Sequence, residues 1–532
     1  MAARVHFESG GAALPSDNIT GNGTINQVAK FTGANTIGDG LITDNGTSVW
    51  NTGGGSIITN AAFGNNALVA NTTGNQNTAI GKSALESNTT GVNNIGVGFQ
   101  ALFSNTTGAN NLAFGVRPLY NNLTGAYNVG IGRDTLFNNT TGSFNIGVGA
   151  NSLVLNTTGT NNTAIGYQSL NLNITGTNNT AIGRSSLLNN TASNNTAVGY
   201  EAAFSNTSGT GITAIGSESL TSNTTGTNNN SIGVYSSFTN TTGSNNTSNG
   251  YASLYRNTTG SNNVAIGSGS LFSNTASNNT AVGFEAAYSN TSGSVTAIGY
   301  QALKANTTGI DNTAIGKSSL ISNNTGANNT AIGLNAMYFT SSGSNNTTLG
   351  VSALQNNITG SQNVAIGKTA LLNNTASNNT AVGFEAAYSN TNAIENTAIG
   401  YRALKFSTGA SNTVVGSQSL TSNTTGDNNS ALGKDALRDN TTGRLNCAFG
   451  SGSMATNTTG RFNSAFGQAT SSGNFTGSLI LGQGATATAD NQFVVGSVGT
   501  NAGAVIPAAT SSPTDWWEVV INGTPYKILL HT

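Results

Sequence analysis

Few side chains in this 532-residue sequence are equipped for acid–base, metal or nucleophilic chemistry, and those few are kept apart. The two histidines, His6 and His531, stand at opposite ends, so no His-based dyad forms within one chain. The single Cys447 excludes an intrachain disulfide and a Cys-based zinc site. It takes a place otherwise held by Thr or Ser and reads as a small, part-buried substitute. Glycan cleavage needs two carboxylates at a defined separation. Residues 135–200 contain no Asp or Glu, and Glu201, Glu218, Glu285, Asp311, Glu385 and Glu395 are isolated along the chain. Asp435 and Asp439 are closer together, but Arg438 beside them makes a solvated cluster the simpler reading. We expect no catalytic residues, no metal and no cofactor.

Two other groups suit recognition better than catalysis. Lys82, Tyr167, Tyr200, Tyr251, Tyr300, Lys317, Lys368 and Tyr401 each follow a recurring Gly by one residue. Aromatics and cations in one column make either a glycan-binding stripe or a subunit seam, with rings stacked and long cations snorkelling outward. The seam is the simpler reading. At the C-terminus, Trp516, Trp517 and Tyr526 lie in two β-rich runs joined by Asn522-Gly523, a strong hairpin signal. That hairpin reads as a cap sealing the end of the molecule, as a tip that contacts a receptor or glycan, or as a strand offered to the next subunit of a filament.

What positions all of these is a repeat. The Gly of a recurring Asn-Thr-Ala-Ile-Gly phrase serves as anchor from Gly64 to Gly467, giving 25 anchors and 24 intervals. Nineteen intervals are 17 residues long and five are 16. Position −1, just before the anchor, is Ile, Val, Leu or Phe in 24 of 25 repeats, Asn249 excepted. Position +4 is Leu or Met in 20. Four of the exceptions, Ala203, Ser237, Ala287 and Ala387, are each followed by an aromatic, which we expect to replace the lost core volume. Position +7 is Asn in all but two, Thr340 and Ser407.

A period of 17 fits no helix, whereas β-branched residues and Asn-Thr-Thr-Gly turns fit a wound coil. We expect an all-β fold: a parallel β-solenoid or β-roll of 17-residue coils, each a short strand, a bend at the anchor, a second short strand and a turn. Stacked coils pair at ~4.8 Å, and the +7 Asn column should form an amide ladder. One coil cannot bury its apolar residues alone, so stability must come from stacking and from other copies of the chain. The expected domains are an attachment or capping region at 1–57, a repeat stalk at 58–498 and a β-hairpin cap or tip at 499–532. Asn-x-Thr and Asn-x-Ser sequons occur in nearly every repeat and read as turn chemistry.

The phrase Asn-Thr-Ala-Ile-Gly resembles the head repeats of YadA-type trimeric autotransporter adhesins, most closely at Gly477–Gly496. The longer form with Asn-Thr-Thr-Gly turns is similar to repeats of phage tail-fibre proteins, as is the opening Gly23-Thr-Ile-Asn-Gln-Val-Ala-Lys-Phe-Thr-Gly33. The resemblance covers roughly residues 20–498 and implies a homotrimer of parallel β-rolls that adheres to a surface. Autotransporters carry a signal peptide and a C-terminal membrane barrel, and many phage fibres end in a chaperone peptidase. Neither pattern is recognised here, which favours a virion or injection-particle appendage assembled in the cytoplasm.

Charge narrows the partners. Seventeen Lys and Arg against 18 Asp and Glu leave a formal net charge of −1 and no basic surface for nucleic acid. No apolar run approaches the ~18 residues of a membrane helix. Only 7% of residues are charged, because a charge in an aligned column would face like charges in the coils above and below. The expected partners are other copies of the chain, a baseplate or similar protein at the N-terminus, and a host-surface receptor or glycan. The expected function is a structural, adhesive tail fibre. The alternatives are a subunit of an extracellular or cell-surface adhesive filament and, more remotely, an ice-binding solenoid or a glycan depolymerase. Ice binding is disfavoured because adjacent Thr pairs such as Thr89-Thr90 should diverge rather than tile a flat face.

Overall fold

A computed structural model describes residues 59–496 in full. It also gives the backbone of the flanking strands β1 (Gln27–Gly33), β2 (Thr36–Asp44), β3 (Val49–Asn51), β31 (Trp516–Ile521) and β32 (Thr524–Leu529). The chain divides into two compact units, Met1–Asn279 and Thr280–Thr532. Among the described residues the first unit holds 13 parallel strands, from β4 (Ala61–Phe63) to β16 (Val264–Ile266). The second holds 14, from β17 (Thr280–Val282) to β30 (Phe493–Val495). Within each unit consecutive strands pair in parallel and in register, as in Thr163↔Thr180, Ala164↔Ala181 and Ile165↔Ile182. No helix occurs among the described residues. This is the expected all-β parallel solenoid of 17-residue coils. The terminal strands are antiparallel: β1, β2 and β3 form one sheet, and β31 pairs with β32 up to Ile521↔Thr524, the register of the expected hairpin.

One coil shows why the sequence winds this way. After the strand Thr163–Ile165, the anchor Gly166 takes φ 132°, and a Cβ there would lie 2.6 Å from the carbonyl oxygen of Gly183 in the next coil. Only glycine allows the backbones to approach so closely. Gln168 (φ 57°) and Leu170 (φ 50°) then adopt left-handed conformations. Position +4 is therefore in a tight double turn, and the second short strand expected after the anchor is absent. Holding Leu there costs about 1–2 kcal/mol. Turning its side chain inward gains roughly 1.5–3 kcal/mol, since Leu170 is fully buried. The two terms are of similar size, so the apolar interior offsets the turn that creates it.

The position −1 residues do not belong to this interior. In Thr163–Ile165 and Thr180–Ile182 the central Ala is buried and the following Ile is exposed. Side chains alternate across a strand, and a three-residue strand turns only its middle residue inward. The core column is thus Ala at −2 with Leu at +4, and the Ile column faces out.

The expected aromatic compensation also fails. Ala203, Ser237, Ala287 and Ala387 are buried, but the aromatics that follow them are only half-buried. Phe238 stacks on Tyr255 at 5.2 Å, in an outer column at position +5. Residues +4 and +5 point to opposite sides of the coil wall, so the second cannot fill space left by the first. Around Ser237 the interior is bridged by hydroxyls instead: Ser248 Oγ lies 2.6 Å from Ser236 Oγ and 2.7 Å from Ser237 Oγ.

Two amide ladders run through each unit. The expected one is at +7, where Asn173 Nδ2 donates to Asn156 Oδ1 at 2.9 Å and to the Gly176 carbonyl at 3.0 Å. A second stands at −4: the Asn179 backbone N–H donates to Asn162 Oδ1 at 3.0 Å, while Asn162 Nδ2 donates to the same Gly176 carbonyl at 2.9 Å. A buried amide must satisfy both its donors and its acceptor. A column of identical amides does so by passing each bond to the next coil. Where the column breaks, at Asn173, Asn323 and Asn357, the buried Oδ1 is left without a partner among the described residues.

Candidate functional site

With −1 outward, most coils present a strip of three side chains: Thr or an aliphatic at −3, an aliphatic or aromatic at −1, and the varied residue at +1. Ile165 and Ile182 are 38% and 36% exposed in the first unit; Ile298 and Leu432 are 38% and 46% exposed in the second. The +1 residues stand beside them, with Tyr167, Tyr200, Tyr251, Tyr300 and Tyr401 all exposed. In each unit the result is an outward band of large apolar side chains flanking rows of Thr hydroxyls. The sequence reading identifies −1 as an apolar column without assigning the direction it faces.

The +1 column stacks along the coil direction, although not as one unbroken ladder. Arg184 lies between Tyr167 and Tyr200, 5.9 Å from each ring centre. Phe284 and Tyr300 stack at 5.4 Å, and the Lys317 ammonium sits 5.8 Å from the Tyr300 ring. Phe384 and Tyr401 stack at 5.5 Å, with Arg402 5.0 Å from Tyr401. Tyr251 meets Tyr235 edge-on at 6.1 Å. Lys82 and Lys368 are exposed in the same column. The cations lie over rings rather than simply reaching into solvent, an arrangement worth about 0.5–1 kcal/mol each at exposed sites. Where a ring is stacked on both faces it offers a sugar only its edge, which weakens the stripe reading for this column.

A further aromatic column at +5 was not recognised in the sequence. Phe103, Tyr120 and Phe137 stack at 4.9 and 5.0 Å, and Phe238, Tyr255 and Phe272 at 5.2 and 5.0 Å. Aromatics at a constant offset from the anchor were the available signal.

Three acids, Asp134, Glu285 and Glu385, form clamps between neighbouring coils. Glu285 accepts from Lys304 at 2.6 Å and from Gln301 at 2.8 Å. Glu385 accepts from Lys405 and Arg402, both at 2.7 Å. The hydrogen bond from Lys304 holds Glu285 below the ordinary carboxylate range, and that from Lys405 does the same for Glu385. Asp134 pairs with Arg117 at 2.8 Å. Arg438 grips Asp439 through two bonds of 2.9 and 2.8 Å and draws its pKa down. Tyr200 is pushed above the usual phenol value chiefly by its hydrogen bond with Glu201. Cys447 occupies position −3 of its strand, half-buried, and burial raises its thiol pKa.

No group of three or more His, Cys, Asp or Glu is placed to hold a metal among the described residues. No helix there is long and apolar enough to cross a membrane. The sequon Asn side chains of the +7 ladder, Asn88 and Asn105 among them, are fully buried and hydrogen-bonded. Trp516 and Trp517 lie on β31 and Tyr526 on β32, opposite Val519; their side chains fall outside the described residues, as does most of the 1–57 region. Comparison with known proteins finds no matching family model, no matching curated protein and no matching solved structure.

Proposed function

We propose that this chain is the subunit of a homotrimeric, non-enzymatic fibre, the tail fibre of a phage or of a contractile injection particle, that contacts a host surface. One observation carries the reading: the outward column at −1, aliphatic or aromatic in 24 of 25 coils and joined at about half of them by an apolar or aromatic residue at +1. Soluble monomers seldom expose continuous apolar patches beyond a few hundred Å². A partner built on the same coil repeat matches such a band rung for rung, and closed rotational symmetry lets every copy use the same surface. Position −1 carries no charge anywhere in the repeat, so copies meeting there desolvate no ion. The number three, the particle and the extracellular setting come from the resemblance to YadA-type heads and phage fibres. The N-terminal region would then attach to the particle.

Negative-stain micrographs of the purified protein separate this reading from an end-to-end filament. Short rods of uniform length support it, and continuous polymers sink it. Replacing Ile165 and Ile182 with Asp should dissociate the assembly while each chain keeps its β-rich spectrum. An assembly unchanged in size would remove the band as the seam.

A second reading has its own observation. The Thr column at −3 and the aliphatic column at −1 point the same way from an in-register sheet, as in Thr313/Ile315 and Thr330/Ile332. This regular, uncharged hydroxyl-and-methyl lattice differs from the adjacent Thr pairs that counted against ice binding. A monomeric protein that depresses the freezing point without lowering the melting point of ice would favour this reading over the fibre.

A further inference from the structure

A different face departs from the repeat in a way that neither stacking nor self-association requires. Position +6 is small in most coils, but in consecutive coils it is Asn121 and Asn138, and again Asn356 and Asn373. Position +8 is usually Thr, yet in the first coil of each pair it is Leu123 or Ile358. The same two departures therefore occur together twice, once in each unit. Both times the amides join across the coils: Asn121 Nδ2 donates to Asn138 Oδ1 at 3.1 Å, and Asn356 Nδ2 to Asn373 Oδ1 at 2.8 Å.

In the first unit this pair borders a shallow groove of about 350 Å³, lined by Asn121, Asn138, Thr140, Leu155, Thr157 and Ile174. That volume lies in the range of small-ligand sites. The two Thr hydroxyls are committed, Thr140 to the Thr157 carbonyl at 3.0 Å and Thr157 to the Ile174 carbonyl at 3.1 Å. Among the described residues the Asn138 side-chain nitrogen donates no hydrogen bond, and one N–H and the carbonyl oxygen of Asn121 are also unused. Ile174 is 46% exposed at the groove wall. The lining thus offers free amide donors and an acceptor in one row, beside aliphatic surface, and none of its six residues is charged.

We propose that this groove binds a short segment of a neutral oligosaccharide. Vicinal sugar hydroxyls both donate and accept, which matches paired amides. The C–H face of a pyranose suits Leu155 and Ile174, and a lining without charge gives no grip on an anionic chain. A pyranose unit is about as long as one coil step, so successive sugars meet successive coils. The Asn356–Asn373 pair repeats only the amides, because Ser389 and Thr408 stand where the first groove has Leu155 and Ile174, so the proposal is confined to the first unit.

The inference rests on the adhesive-fibre reading for its biological use, but it can be tested separately. The full chain is applied to an array of neutral glycans and titrated with maltohexaose, cellohexaose and chitohexaose, with oligogalacturonate as anionic control. The expected result is retention of at least one neutral glycan. An Asn121→Ala/Asn138→Ala double variant should weaken that retention by about tenfold or more while leaving the assembly size unchanged. Silence across the neutral array, equal binding by the double variant, or stronger binding of oligogalacturonate overturns the proposal. A trimer that retains no glycan removes the groove alone. A monomer that binds glycan through Asn121 and Asn138 removes the fibre reading alone.

Discussion

Two stretches of the first unit share a backbone and differ inside. In the coils holding Leu170 and Leu187 the interior is Ala164 and Ala181 packed against Leu, all fully buried. In the coils of strands Asn230–Ile232 and Thr247–Asn249 the matching inward residues are Ser231, Ser248 and Ser237, joined by hydroxyl contacts. The turn geometry is retained: Ser237 has φ 50°, the same as Leu170. So is the ladder, with Asn240 Nδ2 donating to Asn223 Oδ1 at 2.9 Å. Backbone pairing, anchor glycines and amide ladders therefore set the shape of a coil, and the apolar interior sets how firmly it holds.

The largest expected effect tests that division directly. Leu187→Ala should destabilise the protein by about 2–5 kcal/mol, the usual range for an emptied Leu site. Ser237→Ala should cost no more than about 1 kcal/mol, because Ser248 keeps its other hydroxyl partners. Denaturant melts of both variants check this, and equal losses would mean that interior volume is not what distinguishes the two stretches.

Next come the ladders, which should matter alike in both places. Asn139→Ala and Asn240→Ala each strand the Oδ1 of the preceding ladder Asn and leave the carbonyl of the local turn Gly with only its −4 donor, Asn128 or Asn229. Each should cost about 1–3 kcal/mol. A large difference between them would show that the ladder depends on the core beside it.

Restoring the consensus sharpens the comparison from the other side. Ser237→Leu together with Ser248→Ala should raise stability by about 0.5–2 kcal/mol. A fall in the unfolding midpoint would mean that the serine stretch is too narrow for Leu.

The smallest effect is on the outside. The carboxyl of Glu385 is held below its ordinary range by Lys405 and Arg402. Its contribution is therefore present above the unfolded-state value and is lost as pH falls through the lower folded value. As a part-buried ion pair at the surface it is worth about 0.2–1 kcal/mol. Glu385→Gln should lower the midpoint slightly at neutral pH, and the gap from the native protein should close in acid. A gap that persists in acid would assign the loss to packing.

The regular period made the winding, the in-register pairing and the +7 ladder legible, because a column repeated 24 times at nearly constant spacing can only be stacked. It did not reveal which way a column faces. Ile at −1 and Leu at +4 looked equivalent as apolar columns, but their directions depend on a three-residue strand and on left-handed turns at Gln168 and Leu170. Periodicity carries no signal for such turns at ordinary side chains. The second ladder was in view as the Asn before Thr-Ala-Ile-Gly, and its partner, the Gly176 carbonyl, became apparent only from the fold. Of the recognition residues, the +1 column was found by its spacing. The groove residues Asn121 and Asn138 are departures from the repeat, and a reading built on the consensus passes over them.

The outward apolar band is the feature most in need of explanation, and its explanation fixes the mass of the particle. Light scattering on the full chain, behind a sizing column at physiological salt, should give about three times the 53.4 kDa chain mass. That value should not change on dilution. A monodisperse species at 53.4 kDa would leave the band uncovered in solution and contradict the fibre account.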